Sequence, residues 1–323
     1  MRILVTGCAG FIGYHLCLKL CNNSKYEVVG IDNINDYYST KIKKDRIRNL
    51  LKFKNFKFYK INIENSNKLG NLFSKNKFKV VYNLAAQAGV RFSITNPENY
   101  TKSNLIGFSN ILEFSKKYKI YHLISASTSS VYGENENFPL KENESTDKPI
   151  SYYAATKKSN EIMGYSYSYI HKLKITFFRF FTVYGPMGRP DMSLFKFVKA
   201  INENKTINLF NYGNHERDFT YVDDVALILK KIINKPSSSN VPYQIFNVSS
   251  NRPVKLKKFL DIIQLELNKK YKFKNLKLQQ GDIIKTHGSN KKLEKIIGKI
   301  KFTNVKDGVK NFVKWYKDYF NSK

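Results

Sequence analysis

Only three cysteines occur in 323 residues, and Cys8, Cys17 and Cys21 all fall within the first 21 positions. That leaves no material for a disulfide framework and no paired spacing for a metal, so a reducing cytoplasm is the expected setting. Long apolar runs are missing too. No stretch reaches the roughly 18–20 uninterrupted apolar residues that a membrane span needs, and no membrane insertion is expected. Met1-Arg2-Ile3-Leu4-Val5 reads as a short strand, too brief for a secretory signal. The five histidines (His15, His122, His171, His215, His287) lack metal-ligand spacing, which makes a metal site unexpected.

Acidic charge is the third scarcity: 25 Asp and Glu stand against 56 Lys and Arg, for a formal charge of +31. Such a surplus raises nucleic-acid binding as a question. The lysines, however, are spread along the chain among many asparagines instead of gathering into a patch. A solvated surface of biased composition accounts for that pattern, and no nucleic-acid partner is expected. The charge still favours an anionic small substrate.

The first half alternates short apolar runs with helical patterns. Arg2–Thr6, Tyr26–Ile31, Phe56–Asn62, Val80–Leu84, Tyr121–Ser125 and Ile175–Phe180 read as strands. Phe11–Cys21, Tyr100–Lys117 and Tyr153–His171 are the clearest helices. That rhythm predicts parallel pairing in a Rossmann-type, doubly wound α/β sheet. After Gly185 it loosens. Leu194–Glu203 reads as a helix, Ile207–Phe210 as a strand, and Asp223-Asp224 as an N-cap for Val225–Ile233. The expected division is a nucleotide-binding domain over 1–180, with sheet-completing segments around 205–250. Residues 181–323 would mainly build a smaller, mixed α/β substrate-binding lid domain.

Thr6-Gly7-Cys8-Ala9-Gly10-Phe11-Ile12-Gly13 follows the first strand and opens the first helix. Gly7 permits a tight turn, Gly10 lets backbone approach a pyrophosphate, and Gly13 lets helix and strand pack closely. The helix N-terminus behind them offers free N–H groups and a favourable dipole. Asp32 ends the second strand, where a carboxylate accepts from both ribose hydroxyls and repels a 2′-phosphate, favouring NAD over NADP.

Tyr153-Ala-Ala-Thr-Lys157 sets a phenol and an ammonium one helical turn apart on one face. The same spacing recurs at Tyr37/Lys41 and Tyr319/Lys323, which read as surface pairs. Position selects Tyr153: it follows the strand that ends in Ser125-Ala-Ser-Thr-Ser-Ser-Val-Tyr-Gly133, a hydroxyl cluster at the carboxyl edge of the sheet. A phenol with pKa near 10 becomes a usable base when a lysine and a positive nicotinamide stabilise its phenolate.

With these residues in view, the chain resembles the extended short-chain dehydrogenase/reductase family of nucleotide-sugar enzymes, and within it the UDP-glucuronate 4-epimerases. The segments that carry the likeness are TGCAGFIG (6–13), DNINDYY (32–38), LAAQAGVRFS (84–93), SNLIGF (103–108), STSSVYG (127–133), SYYAATKKSNE (151–161), RFFTVYGPMGRPDM (179–192) and NYGNHERDFTYVDD (211–224). The resemblance implies an NAD-dependent isomerase acting on a UDP-sugar, with Thr128 as hydroxyl partner, Tyr153 as general base and Lys157 tuning Tyr153 while holding the nicotinamide ribose. It implies cofactor contacts from Gly7, Gly10, Phe11, Ile12, Gly13, Asp32, Asn33 and Asn35. Asn62 and Ile63 would flank the adenine, with Leu84, Ala85, Ala86, Gln87, Asn104, Ser127 and Phe180 also on the cofactor side. Ser129, Thr182 and Arg189 would face the substrate, with Arg189 pairing a sugar carboxylate bidentately. Arg217 would sit on the diphosphate.

Such enzymes pair through a four-helix contact, so a homodimer through Tyr100–Lys117 and Tyr153–His171 is expected. Apolar Ile106, Ile111, Leu112 and Phe114 are compatible with it. Two departures stand out: Met187 replaces the usual Trp, and Gly281–Ser289 only partly follows the usual GDVPxTxAD pattern. The alternatives within the family are a UDP-glucuronate decarboxylase, another nucleotide-sugar epimerase and a 4,6-dehydratase. The decarboxylase and the dehydratase usually carry a glutamate before Val-Tyr-Gly, where this chain has Ser130 after Ser129. A non-catalytic NAD- or RNA-binding protein would have no use for an intact Thr128/Tyr153/Lys157 set.

Overall fold

A computed structural model describes residues 1–279 and 281–321. In chain order the first half runs β1 (Arg2–Thr6), α1 (Phe11–Cys21), β2 (Glu27–Asp32), α2 (Thr40–Leu50), β3 (Phe56–Lys60), α3 (Ser66–Lys75) and β4 (Val80–Asn83). Two single-turn helices, α4 (Phe92–Thr95) and α5 (Pro97–Tyr100), lead through a π-helical stretch at Thr101–Ile106 into α6 (Gly107–Lys117). Then come β5 (His122–Thr128), α7 (Tyr152–His171), β6 (Ile175–Phe180) and β7 (Thr182–Tyr184). The remainder is α8 (Ser193–Asn202), β8 (Thr206–Phe210), β9 (Glu216–Tyr221), α9 (Val222–Ile232), β10 (Tyr243–Val248), β11 (Pro253–Lys255), α10 (Leu256–Leu267), β12 (Lys272–Leu276), α11 (Lys291–Ile297) and α12 (Val305–Asn321).

Seven strands form one parallel sheet in the order β3-β2-β1-β4-β5-β6-β10. Its central strands are apolar on both faces, as a sheet covered twice must be. One face packs Leu16, Leu20, Val225 and Ile228 from α1 and α9, and the other packs Leu69, Phe73, Ile111 and Leu112 from α3 and α6. The chain order reverses between β1 and β4, and the carboxyl ends of those strands open the crevice where such sheets bind ligands. A three-stranded sheet (β11-β9-β7) and a parallel pair (β12-β8) sit beyond it. Phe195 of α8 and Phe312 and Tyr316 of α12 pack together on that side.

Several expectations need correction. Asp223 and Asp224 do not cap α9: the helix starts at Val222, three residues before the expected Val225, and Tyr221 holds the N-cap position. Asp223 instead pairs with His15, and Asp224 accepts from the backbone and hydroxyl of Thr303. The expected helix Tyr100–Lys117 is interrupted by the π segment, a feature that often marks functional positions. Ile111 and Leu112 are fully buried in the chain's own core, so they are unavailable to a partner. Cys8, Cys17 and Cys21 are free and buried, and burial pushes their thiols up. The Lys323 half of the Tyr319/Lys323 pair lies outside the described residues, while Tyr319 hydrogen-bonds Asp45.

Candidate active site

A cleft of about 950 Å³ runs along the carboxyl edge of the large sheet, at the upper end of the roughly 300–1,000 Å³ of single-ligand sites. Its first wall is main chain. Gly7 has φ +70°, and a Cβ there would lie 2.7 Å from the Ala85 nitrogen; at Gly13 it would lie 2.1 Å from the Gly7 carbonyl oxygen. No side chain fits at either place, so the turn, the Leu84–Ala86 segment and the start of α1 lie close together. Gly10, Phe11, Ile12, Asn33, Asn62 and Ile63 also line this end. Asp32 accepts from the Ala9 and Ile34 backbone N–H groups at 3.1 and 2.8 Å. Burial raises its carboxyl, against those bonds and the nearby Lys43. Lys43 itself is buried and donates to the Asn35 carbonyl and side chain.

Asn104 is the one cofactor-side residue that does not reach the cleft. It sits in the π segment, bonding the backbone of Gln87 at 2.8 and 3.0 Å and Thr156 at 3.0 Å. It therefore shapes the Gln87 wall from behind. Ser127 lines the cleft, but its hydroxyl donates to Glu161 at 2.6 Å. Glu161 also holds Arg179 bidentately in a fully buried ion pair.

Thr128, Tyr153 and Lys157 meet in the same cleft with Ser129, Ser130, Phe180 and Thr182. Ser151 caps α7 by accepting from the Ala154 N–H, which sets the first turn bearing Tyr153. Burial raises the Tyr153 phenol, while the Thr128 hydroxyl and Arg189 pull it down. Lys157 is 2% exposed, and burial lowers it to about 8, with Glu161 opposing. Its ammonium donates to Asn160 at 3.2 Å, and Asn160 is anchored on the Asn104 carbonyl. Burial therefore holds the Tyr153 phenol above its ordinary value.

At the far end, Arg189 and Arg217 line the cleft with residues to which sequence reasoning gave no role. Arg189 grips Asp191 through Nε and Nη2 at 3.0 and 2.6 Å, and Tyr37 donates to the same carboxylate at 3.1 Å. Tyr37 therefore belongs to the site and is no surface residue. Arg217 donates to the backbone carbonyls of Ile283 and Ile284. Burial lowers it to about 10, which leaves it charged at neutral pH. Arg91 bridges to Asp282 at 3.0 Å beside it, and His215 lines the same corner. All but Asp282 lay inside the segments that carried the resemblance, yet nothing in their spacing marked them. Among the described residues no group of His, Cys, Asp and Glu could hold a metal ion.

The fold and cleft define a parallel-sheet dinucleotide enzyme, with a glycine turn at the start of α1 and an aspartate at the end of β2 beside it. The model of the NAD dependent epimerase/dehydratase family matches residues 3–249, and the chain belongs to that family. It is 46% identical to Protein CapI of Staphylococcus aureus over 99% of both chains. It is 39% identical to the UDP-glucuronate 4-epimerase of Thermodesulfobacterium geofontis, over 98% of this chain and 96% of that one. The crystal structure of UDP-glucuronic acid 4-epimerase from Bacillus cereus, in complex with UDP-glucuronic acid and NAD, superposes with a TM-score of 0.91. That likeness is at 31% identity and covers 99% of this chain and 100% of the other.

Proposed function

We propose that this chain is an NAD-dependent 4-epimerase of a UDP-uronic acid, interconverting UDP-glucuronate and UDP-galacturonate. The observation that carries the reading is the meeting of Thr128, Tyr153 and Lys157 with Arg189 in the cleft that begins at the glycine turn. NAD, when bound, accepts a hydride from the sugar's C4 and gives it back to the opposite face. Gly7, Gly10, Gly13 and the start of α1 would hold its diphosphate, Asp32 its adenosine ribose, and Lys157 its nicotinamide ribose.

Tyr153 removes the proton from the 4-hydroxyl and later restores it, while Thr128 holds the reacting oxygen. Because burial keeps the phenol high, Tyr153 becomes a base only in a loaded site, where the charge of Lys157 is supplemented. Between the two proton transfers the 4-keto sugar turns about its bond to the diphosphate. A 4-ketouronate is a β-keto acid that loses carbon dioxide when its carboxylate aligns with the ketone. Arg189 and Thr182 hold the carboxylate out of that alignment, and Arg217 anchors the diphosphate. A decarboxylase or 4,6-dehydratase would want an acid beside Thr128, where Ser129 and Ser130 offer only hydroxyls.

The homodimer belongs to this reading. Ile106, Ile162, Tyr165, Tyr169 and Ile170 are all at least half exposed along the π segment and α7, an apolar face suited to a four-helix contact. No helix among the described residues is long and apolar enough to cross a membrane, and free buried thiols fit a cytoplasmic setting. The test is a proton NMR time course of purified protein with UDP-glucuronate and no added NAD. Conversion to UDP-galacturonate supports the reading, while a pentose product or no reaction overturns it.

A further inference from the structure

Asp191 lies two residues beyond Arg189, and neither the resemblance nor the spacing gives it work. Its carboxylate takes the Nε–Nη2 edge of the guanidinium at 3.0 and 2.6 Å and a hydroxyl from Tyr37 at 3.1 Å. The Arg189 guanidinium lies 5.7 Å from the Tyr37 ring centroid, so the tyrosine contacts both partners. Both side chains are mostly buried, at 19% and 25% exposure, and both line the cleft. We propose that Asp191 is a specificity-determining residue that fixes the direction of Arg189 and neutralises it, so that a sugar carboxylate meets only the spare Nη edge of a half-satisfied cation. The proposal deepens the uronate reading and rests on it.

The chemistry follows from the fork. A guanidinium has five N–H donors on three edges, and a carboxylate occupies one edge. With Asp191 on the Nε–Nη2 edge, an incoming carboxylate must take the Nη1 side. Burial works against the charge on Arg189, and Asp191 more than offsets it; burial would raise the Asp191 carboxyl, and Arg189 with Tyr37 more than reverses that. The pair is thus charged but neutral overall at any working pH. A substrate carboxylate is attracted by a paired cation less than by a bare one, which suits a site whose ligand must let go and turn between half-reactions. A lone arginine in so buried a cleft would grip a uronate more firmly.

The test uses the full chain carrying Tyr153→Phe, which should slow turnover about a thousandfold, with and without Asp191→Asn. Dissociation constants for UDP-glucuronate and for the uncharged counterpart UDP-glucose are measured by calorimetry. Removing the Asp191 charge should lower the UDP-glucuronate constant about five- to tenfold and shift that for UDP-glucose by less than about twofold. Asp191→Glu, which restores the carboxylate, should return the ratio towards the parent value. Equal shifts for both ligands, or an unchanged or weaker uronate constant, would overturn the proposal. A parent chain that binds neither sugar preferentially would instead count against the uronate reading, because the shift on substitution is measured separately.

Discussion

At the glycine-turn end of the cleft one wall is close-packed main chain, whereas the far end is lined by charged side chains joined to one another and to backbone carbonyls. Gly7, Gly13 and the Leu84–Ala86 backbone approach one another so closely that a single added carbon is not accommodated. Across the cleft, Arg189 and Tyr37 hydrogen-bond Asp191, Arg91 bridges to Asp282, and Arg217 donates to the Ile283 and Ile284 carbonyls. In the proposed reading the first wall recognises what every dinucleotide shares, a pyrophosphate and a ribose. In the same reading the second discriminates, because direction and net charge can be changed one residue at a time.

The largest expected effect lies where the two walls meet. Tyr153→Phe should cut kcat by about a thousandfold, within the usual 10²–10⁴ for a lost acid–base group, while fold and cofactor retention stay intact. Steady-state rates and the absorbance of the purified variant check both halves. Next is Gly13→Ala, whose Cβ would fall 2.1 Å from the Gly7 carbonyl oxygen. It should cost about 3 kcal/mol of stability and abolish cofactor retention, read by thermal melting and absorbance. If Gly13→Ala kept its cofactor, the main-chain wall would not be the rigid element argued here.

Beneath both walls, His122 bonds the Ile233 carbonyl and the Thr176 hydroxyl in the sheet core, and burial lowers it to about 4. Between pH 6.5 and 4 the unfolded chain binds the extra proton and the folded one does not, so stability is lost on acidification through that window. The loss amounts to about 3 kcal/mol at most, and His122→Gln should flatten that part of a denaturant titration. The smallest effect belongs to the side-chain wall alone. Arg217→Lys keeps the charge but loses the fork that holds the Ile283 and Ile284 carbonyls. Its KM for the nucleotide sugar should rise about tenfold with little change in kcat.

The same division explains what could be read from the sequence. The glycine turn and Asp32 are local patterns, and the Tyr153–Lys157 spacing, which recurs elsewhere, is selected by its place after β5; the structure brings all of them to one cleft. The strands from β1 to β6 announced themselves by apolar runs. In contrast, β7 and β11 have only three residues each, and β9, though six residues long, carries Glu216, Arg217 and Asp218 in its first half, so no apolar run marks them. The partnership of Arg189 with Asp191 and Tyr37 depends on a contact 154 residues apart, which no spacing reveals. Asp223 and Asp224 misled for a related reason: their partners, His15 and Thr303, are far away in sequence.

The proposed epimerisation requires that one retained NAD take the C4 hydride and return it to the same carbon. Incubation of the purified protein with UDP-glucuronate deuterated at C4, without added cofactor, tests it directly. The account predicts UDP-galacturonate with deuterium still at C4. Loss of the label from C4, or release of carbon dioxide with a pentose product, would contradict it.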